Sequence, residues 1–147
     1  MKKMKIKVII FDLGGVLFTN ATKLFIKTLN KRYKLNEDYL KEVLDGKIGS
    51  DYRESKITRD EFWQKVIKKL DLKENADDLE TEWIGYYDII PKAKEFILDL
   101  RKKYKVYYLS DNVKERVNKL NKKFSFLKWF DEGSSSRGFF LWELVMS

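Results

Sequence analysis

The run Ile6-Lys7-Val8-Ile9-Ile10-Phe11 constrains the fold more than any other stretch of this sequence. It is β-branched and aromatic, and continuously apolar from Val8, so it reads as a central strand of a parallel sheet with both faces covered. It stops at Asp12-Leu13-Gly14-Gly15, where glycine permits a tight turn and a close backbone approach. A second strand is expected at Lys105-Val106-Tyr107-Tyr108-Leu109, again ending on polar residues, Ser110-Asp111-Asn112. About 90 residues separate the two runs, far more than one crossover between parallel strands requires.

The intervening residues carry helical periodicity. Leu24, Phe25, Leu29 and Tyr33 form one stripe, and Tyr39, Leu40, Val43 and Leu44 another. Thr58-Arg59-Asp60-Glu61 is a capping box ahead of Phe62, Trp63, Val66, Ile67 and Leu70. Asn75 can cap a helix carrying Leu79, Trp83 and Ile84. Pro91 suits the first turn of a helix running from Lys92 to Tyr104, with Ala93, Phe96, Ile97 and Leu100 inward. Val113, Val117 and Leu120 mark a last helix. The pattern predicts an α/β protein: a partial Rossmann-like parallel sheet built from residues 1–18 and 88–147, with a helical module inserted at 19–87.

Composition narrows the chemistry. There is no Cys and no His, which removes thiolate nucleophiles, imidazole acid–base catalysis and Cys or His metal sites. Carboxylates, hydroxyls, lysines, backbone amides and hard cations remain. The formal charge of +8 comes from 25 Lys and only 6 Arg, scattered along the chain. Readers of nucleic acid lean on Arg and gather charge on one face, so nucleic acid is not the expected partner. No stretch reaches the 18 apolar residues of a membrane span, and Asp12 interrupts the apolar N-terminal run, so a cytoplasmic protein is expected.

Ligands of open α/β sheets bind beyond the carboxyl ends of the strands, where Asp12, Ser110 and Asp111 fall. On spacing alone two readings stand. Asp12 and Ser110 share a ligand, with the glycine turn offering amides to an anion, or each merely caps the turn that follows it. The residues here carry a resemblance. Phe11-Asp12-Leu13-Gly14-Gly15-Val16-Leu17-Phe18 resembles the first motif of the haloacid dehalogenase-like (HAD) hydrolase superfamily, and Tyr108-Leu109-Ser110-Asp111-Asn112 is similar to its second. The helical insertion resembles the cap that one branch places between those motifs, and Ile90-Pro91-Lys92-Ala93 the start of the helix before the second motif.

That resemblance implies a Mg²⁺-dependent phosphatase acting on small phosphorylated metabolites. Asp12 would be the nucleophile that forms an aspartyl-phosphate, and Ser110 would bind a phosphate oxygen. Backbone amides of Leu13, Gly14 and Gly15, with Asp111 and Asn112, would complete the phosphate site. The metal would sit on Asp12, on the Gly14 carbonyl and on an acidic residue of a later motif. The cap would exclude bulk water and contribute specificity.

Three departures qualify the expectation. The acid–base aspartate of the family stands two residues after the nucleophile, where this sequence has Gly14. Asp111 follows the second-motif hydroxyl where Asn is common. The third-motif Lys and the fourth-motif acidic pair have no counterpart: no Lys follows Lys128, and no Pro follows Pro91. The similarity stops near Glu132, so a frameshift or premature stop in a once longer gene is expected, with a fragment or a short form completed by another subunit as alternatives. A catalytically inactive remnant that still binds phosphate or metal is the rival reading. Without a fourth-motif strand, Val8 to Phe11 would present an open edge, covered by Phe139 to Val145 or else a route to self-association.

Overall fold

The computed structural model describes residues 6–134 of the chain. These divide into two compact units, one formed by residues 6–19 with 89–134 and the other by Asn20–Asp88.

The first unit is a three-stranded parallel sheet with helices. Strand β1 spans Val8–Phe11, β2 Lys105–Leu109 and β3 Glu132–Ser134, in the order β1-β2-β3. Val8 pairs with Lys105 and Phe11 with Tyr108. Tyr107 pairs with Glu132 and Leu109 with Ser134. The α/β parallel architecture is the expected one, with two corrections.

Among the described residues β1 is not covered on both faces. All four of its residues are half-buried, because β2 is its one partner among the described residues. The middle strand is instead β2, with Val106 and Tyr107 buried. The second correction is β3 itself, which the sequence pattern does not announce. Glu132-Gly133-Ser134 lacks the β-branched and aromatic residues that mark a strand. Gly133 is there for contact: a Cβ would lie 2.1 Å from the Tyr108 ring, which crosses β3 at that point. The predicted packing of Phe139 to Val145 lies outside the described residues.

Among the described residues two α-helices belong to this unit. Helix α6 (Pro91–Arg101) starts with Pro91 in its first turn and buries Ile97. Phe96, expected inward, is 56% exposed. Its ring meets that of Phe11 edge-on at 6.2 Å, but nothing among the described residues closes over it. Helix α7 (Lys114–Phe124) buries Val117 and Leu120 and ends on Ser125 in the left-handed conformation. An aromatic core then forms around Phe126, with Phe18 at 5.0 Å and Tyr108 at 6.3 Å, both edge-to-face. Phe130 packs on Tyr108 at 5.3 Å.

The second unit contains five helices: α1 (Ala21–Tyr33), α2 (Glu37–Asp45), α3 (Lys47–Arg53), α4 (Arg59–Leu70) and α5 (Ala76–Gly85). Asn20, Asn36, Thr58 and Asn75 cap α1, α2, α4 and α5 through their side chains, and Thr58 with Glu61 forms the full capping box. The core is aromatic. Phe25 stacks on Trp83 at 5.0 Å, and Trp63 meets Trp83 edge-on at 6.0 Å. The Glu80 carboxylate, 3% exposed, accepts from Trp63 Nε1 at 3.1 Å and Arg59 Nε at 3.2 Å, so its burial is compensated. Leu24 and Tyr39, placed on apolar stripes by their spacing, lie on the shoulders of those stripes and are exposed.

Candidate active site

β1 and β2 run in the same direction, and Phe11 pairs with Tyr108 as the last aligned residue of β1. Asp12 therefore leaves β1 level with Leu109, and Ser110 follows one position later on the neighbouring strand. Paired strands lie about 4.8 Å apart, so the two residues emerge side by side at the carboxyl end of the sheet. Both lie past the regular pairing, where loop geometry rather than pleat alternation sets their direction.

Asp12 is exposed, and its Oδ1 accepts from the Leu13 amide at 2.7 Å. Oδ2 remains open. Behind it the chain turns tightly: the Leu13 carbonyl accepts from the amides of Leu17 and Phe18 at 3.0 Å each, and Gly15 donates to the Phe18 carbonyl at 2.9 Å. Gly15 sits at φ +74, the left-handed region where a Cβ would be strained. The Ile90 amide closes the turn by donating to the Leu17 carbonyl at 2.8 Å.

This bonding revises the expected anion cradle. The Leu13 amide is spent on Asp12 and the Gly15 amide on Phe18, so Gly14 carries the one amide of the three with no partner among the described residues. A Cβ placed on Gly14 would meet nothing within 4 Å, so the turn is open where a ligand would approach.

Ser110 is buried, 4% exposed. Its amide donates to the Ser134 carbonyl at 2.9 Å, and its Oγ accepts from the Asn112 amide at 3.1 Å. The hydroxyl position is thus fixed by β3 on one side and by the turn into α7 on the other. Its proton has no acceptor among the described residues and can be given to an incoming oxygen. The contribution of Ser134 could not be read from the sequence, since it depends on the pairing of β3. Asp111 is exposed and Asn112 half-buried, both in the bend that precedes α7.

The oxygen donors at this turn are hard, as a magnesium ion requires: the Asp12 carboxylate and the Gly14 carbonyl, which accepts no backbone hydrogen bond among the described residues. No group of three or more acidic residues able to hold a metal occurs among the described residues. The Asp12 carboxylate and the Gly14 carbonyl would hold a magnesium ion only with water supplying most of its other ligands.

No protein-family model matches the chain. It superposes on a HAD family enzyme of Bacteroides thetaiotaomicron, in complex with magnesium and inorganic phosphate, with a TM-score of 0.71 at 24% identity. That match covers 90% of this chain and 69% of the other. The chain has the haloacid dehalogenase-like fold. A second HAD-like structure, an L-2-haloacid dehalogenase of Xanthobacter autotrophicus with chloropropionic acid covalently bound, gives a TM-score of 0.55 at 18% identity, over 89% of this chain and 57% of that one.

In sequence, the HAD-like chain is 28% identical over 108 residues to the D-ribitol-5-phosphate phosphatase of Bacteroides thetaiotaomicron, which is 72% of this chain and 52% of that protein. It is also 28% identical over 128 residues to an uncharacterised protein of Dictyostelium discoideum, 84% of this chain and 55% of that one. The chain spans about half the length of the curated relatives it matches. No helix among the described residues is long and apolar enough to cross a membrane.

Proposed function

We propose that this chain carries the nucleophile half of a magnesium-dependent phosphatase site for small phosphorylated metabolites. The observation that carries the reading is the emergence of Asp12 and Ser110 side by side from paired parallel strands, over a glycine turn. The phosphate bound in one HAD-like neighbour and the phosphatase activity named for one relative support it.

In this reading Asp12 Oδ2 attacks the phosphorus of a phosphate ester. The new O–P bond forms as the ester P–O bond breaks, and the alcohol leaves. Ser110 donates its hydroxyl proton to a phosphate oxygen, assisted by the Gly14 amide. Water then attacks the aspartyl-phosphate, releasing phosphate and restoring the Asp12 carboxylate. Gly14 has no side chain to protonate the leaving alkoxide, so that proton comes from water. Asp12, through the carboxylate oxygen that does not attack, and the Gly14 carbonyl would hold a magnesium ion, which would supply the charge neutralisation that lets an anionic nucleophile approach an anionic phosphate.

The test is phosphate release from a panel of sugar and polyol phosphates with Mg²⁺. Asp12→Asn should fall to background, and Ser110→Ala should lose about 10²–10³-fold in kcat, the usual effect of removing one fixed donor. Turnover unchanged in Asp12→Asn would refute the nucleophile. A second reading, binding of phosphate and magnesium without turnover, is favoured by Gly14 and by the lack of a three-acid cluster among the described residues. Calorimetric titration of Mg²⁺ and phosphate separates the two, since saturable binding beside zero turnover fits only the second.

A further inference from the structure

At the opposite end of the same strands lies a hollow of about 480 Å³. Lys7, Arg101, Lys102, Lys103 and Lys105 surround it, and among the described residues Asp131 is its one acidic lining residue. Ile6 and Tyr104 complete the wall. Topology explains the gathering. Lys7 immediately precedes β1, Lys105 opens β2 in register with Val8, and α6 ends at Arg101 beside them. Lys7 stands five residues before Asp12, about 16 Å along an extended chain, so this hollow is separate from the candidate active site.

The simplest account is that the cations answer the negative pole at the end of α6. That suffices for Arg101, Lys102 and Lys103, but Lys7 and Lys105 come from strands and face no such pole. The single acid does not neutralise the group either. Asp131 accepts from Arg101 Nε at 3.3 Å and from the Val106 amide at 2.8 Å, and Arg101 also donates to the Lys128 carbonyl. Asp131 thereby fixes the guanidinium at the rim. Lys102 has a long 3.4 Å contact with the exposed Asp99. Lys7, Lys103 and Lys105 form no ion pair among the described residues. Like charges lining one hollow repel one another, and an anion shared between them relieves that repulsion.

We propose that this hollow binds an anion carrying two or more linked phosphates. One phosphate would leave most of the cations unanswered, and the volume falls within the range of small-molecule pockets. Linked phosphates could belong to a free small molecule or to a nucleic-acid strand, and the chemistry sensed by Lys7 and Lys105 is the same.

The test is calorimetric titration of the full chain with sodium tripolyphosphate in EDTA, which removes metal from the Asp12 turn. Lys7→Ala/Lys105→Ala should weaken binding at least tenfold. Lys31→Ala/Lys41→Ala removes the same charge from exposed positions of α1 and α2, and should change it less than twofold. Ser110→Ala should also leave it unchanged. Raising NaCl should weaken it steeply, as expected for exposed charges. Absence of saturable binding, equal losses in the two double variants, or loss in Ser110→Ala would each overturn the proposal. A labelled 12-nucleotide single strand identifies the source. Displacement by tripolyphosphate together with loss in the Lys7/Lys105 variant assigns the phosphates to a strand. Oligonucleotide binding indifferent to that variant, beside tripolyphosphate binding that needs it, assigns them to a free small molecule.

Discussion

At the scale of single residues, Gly14 decides what this site can do. Its position has no steric reason to be glycine: a Cβ would meet nothing within 4 Å, and of the two glycines only Gly15 needs a positive φ. Gly14→Asp should therefore fold normally and supply the missing proton donor. Its effect should depend on the leaving group. Alkyl phosphates, whose alkoxides need a proton, should turn over about 10²–10⁴-fold faster, whereas p-nitrophenyl phosphate should change little. A Brønsted series on the parent chain and the variant checks this, and equal gains for both classes would mean the carboxylate acts otherwise. The placement of Asp12 and Ser110 past the ends of β1 and β2 was legible in the sequence, because each ends an apolar run on a polar residue. The engagement of the Leu13 and Gly15 amides was not legible, since it follows from turn geometry rather than residue type.

The elements divide along the same line. β1, β2 and the capped helices announce themselves through apolar runs and side-chain caps. Strand β3 and helix α3 do not, for both are short, contain glycine and are held by neighbours rather than by propensity. Phe96 shows the converse: helical spacing identifies an apolar face but not what covers it. β3 depends on contact with Tyr108, which gives two expectations. Gly133→Ala drives a Cβ into the Tyr108 ring and should cost about 1–3 kcal/mol, read as a lower midpoint in chemical denaturation. Burial also raises the Tyr108 hydroxyl above its ordinary value of 10.0, so the folded state holds this proton after the unfolded chain releases it. That contribution is complete below pH 10 and is lost as pH rises through the folded value. Tyr108→Phe should therefore flatten the alkaline loss of stability relative to the parent chain.

For the whole molecule, the division into two units has a consequence for how the chain is made. The helical unit, Asn20–Asp88, is one continuous stretch, whereas its companion is assembled from segments on either side of it. During synthesis all five helices of this unit leave the ribosome before Lys105 exists to pair with Val8, so β1 must wait while a complete helical unit emerges behind it. Local contacts form in microseconds to milliseconds, and pairing across such a separation is slower. The order of folding is thus written into the order of translation: insertion first, sheet last. A fragment of residues 20–88 should fold alone with a cooperative thermal transition by circular dichroism, while chains arrested before residue 105 should hold β1 open to proteases. Protection of β1 at that stage would show that something other than β2 receives it first.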